Sequence, residues 1–280
     1  MLKDNSEDNA ENASCIKKID LVMWTLNSAK TLQLTLRSIE NAIPKEYVNQ
    51  RIMVDGFSTD GTQNIGKKFG WTVLDAEKVG IPYQANQALD NVETEIFASF
   101  EHDIILNPNW FNAVLKHLES DSSVAVAQGV RLTTNYVFKK IEEVCLERNI
   151  AYRSIDNNMY RTEVIKKLGG FDPRFLISCD WELQERVQKA GYKWILDKTV
   201  VSDHIRGDIW NITNHLWELS KLDDPNNPAI SPVLARFLYS PIRGLDISIK
   251  KRCPHAALVY PYWRFIHLKA ALVSNKRAKS

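Results

Sequence analysis

Apolar positions along the first half of the chain alternate between two kinds of run. IDLVMWTL (19–26) is almost continuously apolar, the pattern of a strand buried on both faces. Residues 29–42 then place Leu32, Leu36 and Ile39 on one face of a predicted helix, with Pro44 just beyond it. RIMVD (51–55) predicts a second strand, closed by the turn-rich GFSTDGT. A helix over TQNIGKKFG, a short strand WTVLD and a helix over YQANQALDNV (83–92) follow. EIFASFEHD (95–103) predicts a core strand, NPNWFNAVLKHLES (107–120) a helix with Pro108 near its first turn, and SVAVAQGVR (123–131) another strand. This β-α-β-α order predicts an α/β fold with a doubly wound, mostly parallel sheet flanked by helices. Ligands of such sheets bind beyond the carboxyl ends of the strands. Asp55 closes one strand there, and Glu101 and Asp103 close another.

Glu101-His102-Asp103 alternates two carboxylates, which an extended strand would place on one side of the chain. Hard oxygen ligands of this kind suit Mg²⁺ or Mn²⁺, although acidic residues also end strands without binding metal. The sequence holds no G-x-x-x-x-G-K-[ST], no G-x-G-x-x-G after the first strand and no G-x-S-x-G. Those absences argue against a P-loop, a Rossmann dinucleotide site and an α/β-hydrolase elbow.

Five ordered segments carry a resemblance. VDGFSTDGT (54–62) resembles the V-D-D-G-S-T-D-G-T segment of family 2 glycosyltransferases of the GT-A fold. TLNSAKTLQLTLRSI (25–39) resembles the family's first strand-to-helix segment, with its T-Y-N. FEHDIILNPNW (100–110) resembles the stretch holding the metal-binding D-x-D. YRTEVIKKLGGFDPRF (160–175) resembles an acceptor-side segment, and CDWELQERVQKAGYKW (179–194) the stretch that carries a catalytic base. The resemblance spans roughly residues 17–206 and implies a GT-A catalytic domain there.

It also implies roles. Asp55 matches a nucleotide-base contact; Thr25, Asn27, Asn86, Glu101 and His102 join it around the nucleotide sugar. Asp103 matches the metal-coordinating carboxylate, with Mg²⁺ or Mn²⁺ as cofactor, and His204 of VSDHIRG a histidine of the metal or diphosphate shell. Asp180 matches the general base. The implied activity is inverting transfer of a sugar from a nucleotide-diphosphate sugar to an acceptor hydroxyl or phosphate, by metal-assisted single displacement.

The chain departs from the family in places. Glu101 replaces the first Asp of D-x-D, Phe57 stands where Gly is usual, and Cys179 replaces a Glu beside the base. Ala85 precedes Asn86 where the family has an Arg, so a diphosphate contact is either absent or supplied elsewhere. Each role has a plainer competitor. Asp55 and Asp60 could brace a tight turn, Asp180 and Glu182 could complement a helix dipole, and His204 could be a surface histidine. Trp181 is a packing residue or a wall of the acceptor cleft. A nucleotidyltransferase would use similar chemistry but wants a basic, Gly-rich loop after strand one, which TLNSAKTL does not supply. An inactive glycosyltransferase-like binding module is the alternative from another class.

Charge redraws the picture at the C-terminus. The 280 residues carry a net +2, but residues 231–280 hold ten Lys or Arg and one acidic residue, +9, leaving −7 on the rest. An acidic body with a basic tail predicts an anionic partner. The tail mixes Leu, Ile, Phe, Tyr and Trp with its cations and is broken by Pro241, Pro254 and Pro261. That pattern suits helices lying on a membrane surface, where a lipid-linked acceptor would be presented beside a saccharide one; packing on the body is the competitor. No motif accompanies the charge that would favour nucleic acid. A composition of 44% hydrophobic and 25% charged residues excludes a mostly disordered chain. Four scattered cysteines and no apolar leader point to a cytoplasmic protein, peripheral on the membrane's inner face if bound there. The expected organisation is a disordered arm over 1–16, a catalytic domain over 17–206 and a basic helical region over 207–280. Oligomeric state is left open.

Overall fold

A computed structural model of the chain describes residues 18–148, 153–219, 225 and 229–277. The arm expected over 1–16, with Cys15, and most of the DDPNNP break lie outside the described residues.

The chain runs β1 (Ile19–Thr25), α1 (Ala29–Ala42), β2 (Val48–Asp55), α2 (Thr62–Lys68), β3 (Thr72–Asp75), α3 (Ile81–Asp90), β4 (Ile96–Phe100), β5 (Ile104–Ile105), α4 (Trp110–Ser120), β6 (Val124–Thr133), α5 (Tyr136–Glu147), β7 (Asn158–Arg161), α6 (Thr162–Lys167), α7 (Cys179–Lys189) and β8 (Lys193–His204). Four helices follow: α8 (Ile209–Leu219), α9 (Ile230–Leu238), α10 (Ser240–Lys250) and α11 (Ala256–Arg277). The eight strands form one sheet in the order β3-β2-β1-β4-β7-β6-β8-β5. β7 and β5 pair antiparallel with their neighbours, while the other pairings are parallel. Six strands therefore point the same way, and β1, β2, β4, β6 and β8 all bring their carboxyl ends to one edge.

The fully apolar β1 is buried along its whole length, as its sequence predicts. Two core clusters cover the two faces of the sheet. One packs Leu32, Leu36 and Ile39 of α1 with Trp110 and Phe111 of α4. The other packs Ala85 and Leu89 of α3 with Phe171 and Leu183.

Two predicted elements end differently. The helix expected from 107 begins at Trp110. Asn107 stops it short, because its side chain accepts the Asn109 N–H at 2.9 Å in a local turn. The strand expected over 95–103 stops at Phe100, and Glu101–Asp103 form a turn. Sheet closure explains this. In a flat sheet four strand spacings, about 19 Å, would separate β4 from β5, whereas four peptide steps reach at most about 15 Å. The sheet must curl until the edge strand β5 meets the end of β4, and the three-residue turn closes the gap.

The C-terminal helices are held by a third, smaller core. Phe138, Ile141 and Val144 of α5 pack with Ile247, Cys253 and Tyr260. No helix among the described residues is long and apolar enough to cross a membrane.

Candidate active site

The carboxyl edge of the sheet opens into a cleft of about 450 Å³, lined by Thr25, Glu101, His102, Asp103, Arg131, Asp180 and Arg206, among others. Glu101, Asp103 and His204 offer ligand atoms that all lie within 4.8 Å of one another. Alternation along a strand does not bring them together: the turn after β4 carries the two acids, and β8 supplies the histidine through its pairing with β5, where Ile104 lies opposite His204.

His204 is only 6% exposed, which removes the surface-histidine reading. Its Nε2 lies 3.2 Å from Asp103 Oδ2. Burial, helped by Arg131, pushes the His204 pKa down to about 4, so the ring is neutral near pH 7 and able to act as a ligand. Burial opposes ionisation of Asp103, but the His204 hydrogen bond and the surrounding positive charge outweigh it and hold the carboxyl well below the usual range. Asp103 Oδ1 is buried without a hydrogen-bond partner among the described residues. An ionised buried oxygen beside a second carboxylate and a neutral imidazole fits a divalent cation.

Asp180 stands in the first turn of α7 and faces the cleft. Burial pushes its pKa up to about 6, against the pull of the Trp181 N–H and Arg131. That value sits near the optimum for a base working around neutrality.

Other predicted residues face inward. Asp55 is fully buried. Its carboxylate accepts the Ser58 N–H at 2.8 Å and the Ser58 hydroxyl at 2.6 Å. Thr25 Oγ1 donates to it at 2.7 Å and Gln63 Nε2 at 3.0 Å. Asn86 donates to Phe171 O at 2.7 Å and accepts the Phe171 N–H at 2.8 Å. Asn27, with φ of 48°, accepts the Thr59 N–H at 3.0 Å and ties the loops after β1 and β2 together. Neither Asp55 nor Asn86 is among the cleft-lining side chains. Asp60 braces the same loop by accepting the Ala29 N–H at 2.9 Å and the Thr62 hydroxyl at 2.6 Å. His102 faces the cleft, its Nδ1 3.1 Å from the Thr31 hydroxyl. Phe57 occupies a left-handed conformation, φ 64°, which explains why glycine is usual there. Its side chain is exposed and lies outside the cleft lining.

Sequence reasoning missed Arg131 and Asp156. Arg131 Nη1 lies 3.3 Å from Glu101 Oε2 and 3.2 Å from His204 Nδ1, and its Nε lies 3.4 Å from Asp156. Asp156 is wholly buried behind the cleft, and burial pushes its pKa up to about 7. The one available signal was an arginine closing the apolar run SVAVAQGVR at the functional edge. Arg131 and Arg206 place positive charge in the cleft.

The curled, mostly parallel sheet is shared with solved structures. Mannosyltransferase PcManGT from Pyrobaculum calidifontis, in complex with GDP-Man and Mn²⁺, aligns with a TM-score of 0.64 at 17% identity, covering 95% of this chain and 89% of that one. That extent takes in the C-terminal helices. Glucosyl-3-phosphoglycerate synthase from Mycobacterium tuberculosis, in complex with Mn²⁺, UDP and glucosyl-3-phosphoglycerate, aligns at 0.52 and 16% identity over 70% of this chain and 75% of that one. TarS of S. aureus aligns at 0.54 and 16% identity over 73% and 39%. The fold is that of the GT-A glycosyltransferases. No curated protein matches by sequence. Residues 20–169 match the family Glycosyl transferase family 2, and the chain belongs to that family.

Proposed function

We propose that the chain transfers a sugar, with inversion, from a nucleotide-diphosphate sugar to an acceptor hydroxyl, with Asp180 as base. One observation carries this reading: a carboxyl with its pKa raised to about 6 faces the same cleft as the Glu101–Asp103 turn. The acceptor oxygen attacks the anomeric carbon, the bond to the departing nucleoside diphosphate breaks with its electron pair, and the acceptor proton passes to Asp180. Mg²⁺ or Mn²⁺, as in the solved relatives, would be held by Glu101, Asp103 and His204, and when bound would offset charge on the leaving group. Arg131 holds Glu101 and His204 in place from behind. Thr25 and His102 line the donor side, while Asp55, Asn27 and Asn86 act from behind it by fixing the loops against which the nucleotide lies.

The C-terminal helices support placement at a membrane surface. Ile242, Leu245 and Ile249 recur on one face of α10, and all three are exposed. Lys250 and Arg252 beside them are exposed as well, and each cation near an anionic leaflet adds about 1 kcal/mol. Such a placement would bring the protein to where a lipid-linked saccharide is presented.

Thermal unfolding with UDP-, GDP- and dTDP-sugars, with Mn²⁺ or EDTA, tests the donor site. A donor at about 100 times its Kd should stabilise by about 2.7 kcal/mol, and EDTA or Asp103→Asn should abolish the shift. No shift with any donor would sink the transferase reading. Repeating the series with anionic vesicles tests the membrane placement, which fails if the protein does not cosediment with them.

A further inference from the structure

A second cavity of about 450 Å³ opens where α5, α7, α9, α10 and α11 meet, most of its lining beyond the residues that match the family. Arg148, Arg236, Arg243 and Arg264 converge on it, together with Trp181 and Tyr260, and no carboxylate is among its lining residues. Four guanidinium groups around one cavity repel one another, and their charge is only partly matched. Arg148 pairs with Asp246. Arg264 is steadied by aromatic rings, its Nε 3.1 Å from Tyr260 Oη and its guanidinium 4.7 Å from the Trp263 ring centre. Arg236 and Arg243 face no carboxylate among the described residues. Planar forks of this type match phosphate oxygens two at a time.

Its position supplies the second argument. Asp180 and Trp181 are adjacent in the first turn of α7, and the first faces the cleft while the second lines the arginine cavity. The Arg153 guanidinium lies 3.9 Å from the Trp181 ring centre. Arg153 also lines a smaller cavity of about 240 Å³ shared with Arg131, Arg206 and His204. Arg131, Arg206 and Arg153 thus lie between the Glu101–Asp103–His204 group and the arginine cavity, with Glu142 among them.

We infer that this cavity is an anion subsite for the acceptor, and that the acceptor carries a phosphate which the four arginines hold while its hydroxyl faces Asp180. This rests on the transferase reading of the cleft. It also gives the +9 of the tail a task that surface packing alone would not require. The phosphate could belong to a lipid-linked or to a soluble saccharide, since both present the same chemistry.

The double variant Arg236→Gln/Arg243→Gln tests the assignment in the full-length protein, because neither side chain pairs with a carboxylate among the described residues. Inorganic phosphate should raise the midpoint of thermal unfolding of the wild type and bind about tenfold more weakly to the variant, while the nucleotide-sugar shift with Mn²⁺ stays the same in both. Equal phosphate affinity in the two proteins, or no phosphate binding to the wild type, overturns the subsite. Loss of the donor shift in both proteins would instead overturn the transferase reading, so the two failures are distinguishable. A hexose phosphate and phosphatidylcholine vesicles carrying a polyprenyl phosphate, compared with plain phosphatidylcholine vesicles, separate the soluble from the lipid source. Discrimination between wild type and variant by either one supports the subsite, and discrimination by neither defeats it.

Discussion

At the end of β2, Asp55 accepts four hydrogen bonds from Ser58, Thr25 and Gln63. At the start of α7, Asp180 accepts the N–H of Trp181 at 2.8 Å. Asp55 is buried and Asp180 half-buried at the cleft, and burial raises the pKa of each. For Asp55 the hydrogen bonds outweigh burial and bring the value below its ordinary range, whereas for Asp180 burial prevails and the value rises to about 6. One residue type at one sheet edge is therefore a fixed anion in the first setting and a proton acceptor in the second, and the number of donors aimed at it decides which. A carboxylate saturated by its own loop has little capacity left for a substrate. One that is left short of donors is available for a proton.

The comparison breaks most visibly at Asp180. Asp180→Asn keeps the shape of the side chain and removes its basicity, so turnover should fall by about 10²–10⁴-fold. The donor-induced thermal shift should remain. Unchanged turnover would remove Asp180 from the chemistry and leave it as a residue that complements the α7 dipole.

Asp55→Ala should act in the opposite register. It leaves the Ser58 N–H and the Thr25 hydroxyl without their acceptor in a buried position, which costs about 1–3 kcal/mol of stability. Chemical denaturation would read this as a lower midpoint, together with weaker donor binding as the loops loosen. A variant of wild-type stability would mean that the network around Asp55 braces nothing.

How much of this contrast the sequence carried depends on the range of the forces involved. The helix over 29–42 and the strand at 19–26 were legible because their apolar spacing is a local property, and both appear as expected. The loop GFSTDGT was legible as a turn, but which of its donors would close on Asp55 was not. β7 carries NMYR, with no alternation to mark it, and it becomes a strand because β4 and β6 both pair with it. The acidic pair at 101 and 103 was found, though for a strand that ends three residues earlier, at Phe100. His204 meets that pair through β5–β8 pairing across 101 residues of chain, and Arg131 meets His204 through β6–β8 pairing across 73. The arginine cavity was visible only as net charge, since Arg148, Arg236, Arg243 and Arg264 come from four helices whose packing no local pattern specifies.

The finest test of the comparison is pH. If Asp180 is the base, kcat/KM should follow its ionised fraction, falling about twofold at pH 6 and about tenfold by pH 5. Acid unfolding could imitate such a limb, and the sign of the linkage separates the two. The folded pKa of Asp180 lies above its ordinary 3.8. Its contribution to stability is therefore fully present below 3.8 and is lost as pH rises through about 6. Acidification from pH 7 to 5 thus stabilises the fold through this group while silencing it as a base. Asp55 works the other way, because a lowered pKa gives stability above its ordinary value and loses it only at lower pH. Between pH 7 and 5 neither carboxyl should destabilise the fold, but His204 and His267, held neutral with pKa values near 4, lose it stability as the unfolded chain takes up protons, so activity is read well below the thermal midpoint at each pH. A profile flat to pH 5 would show that the two carboxyls do not differ in the way their hydrogen bonds indicate.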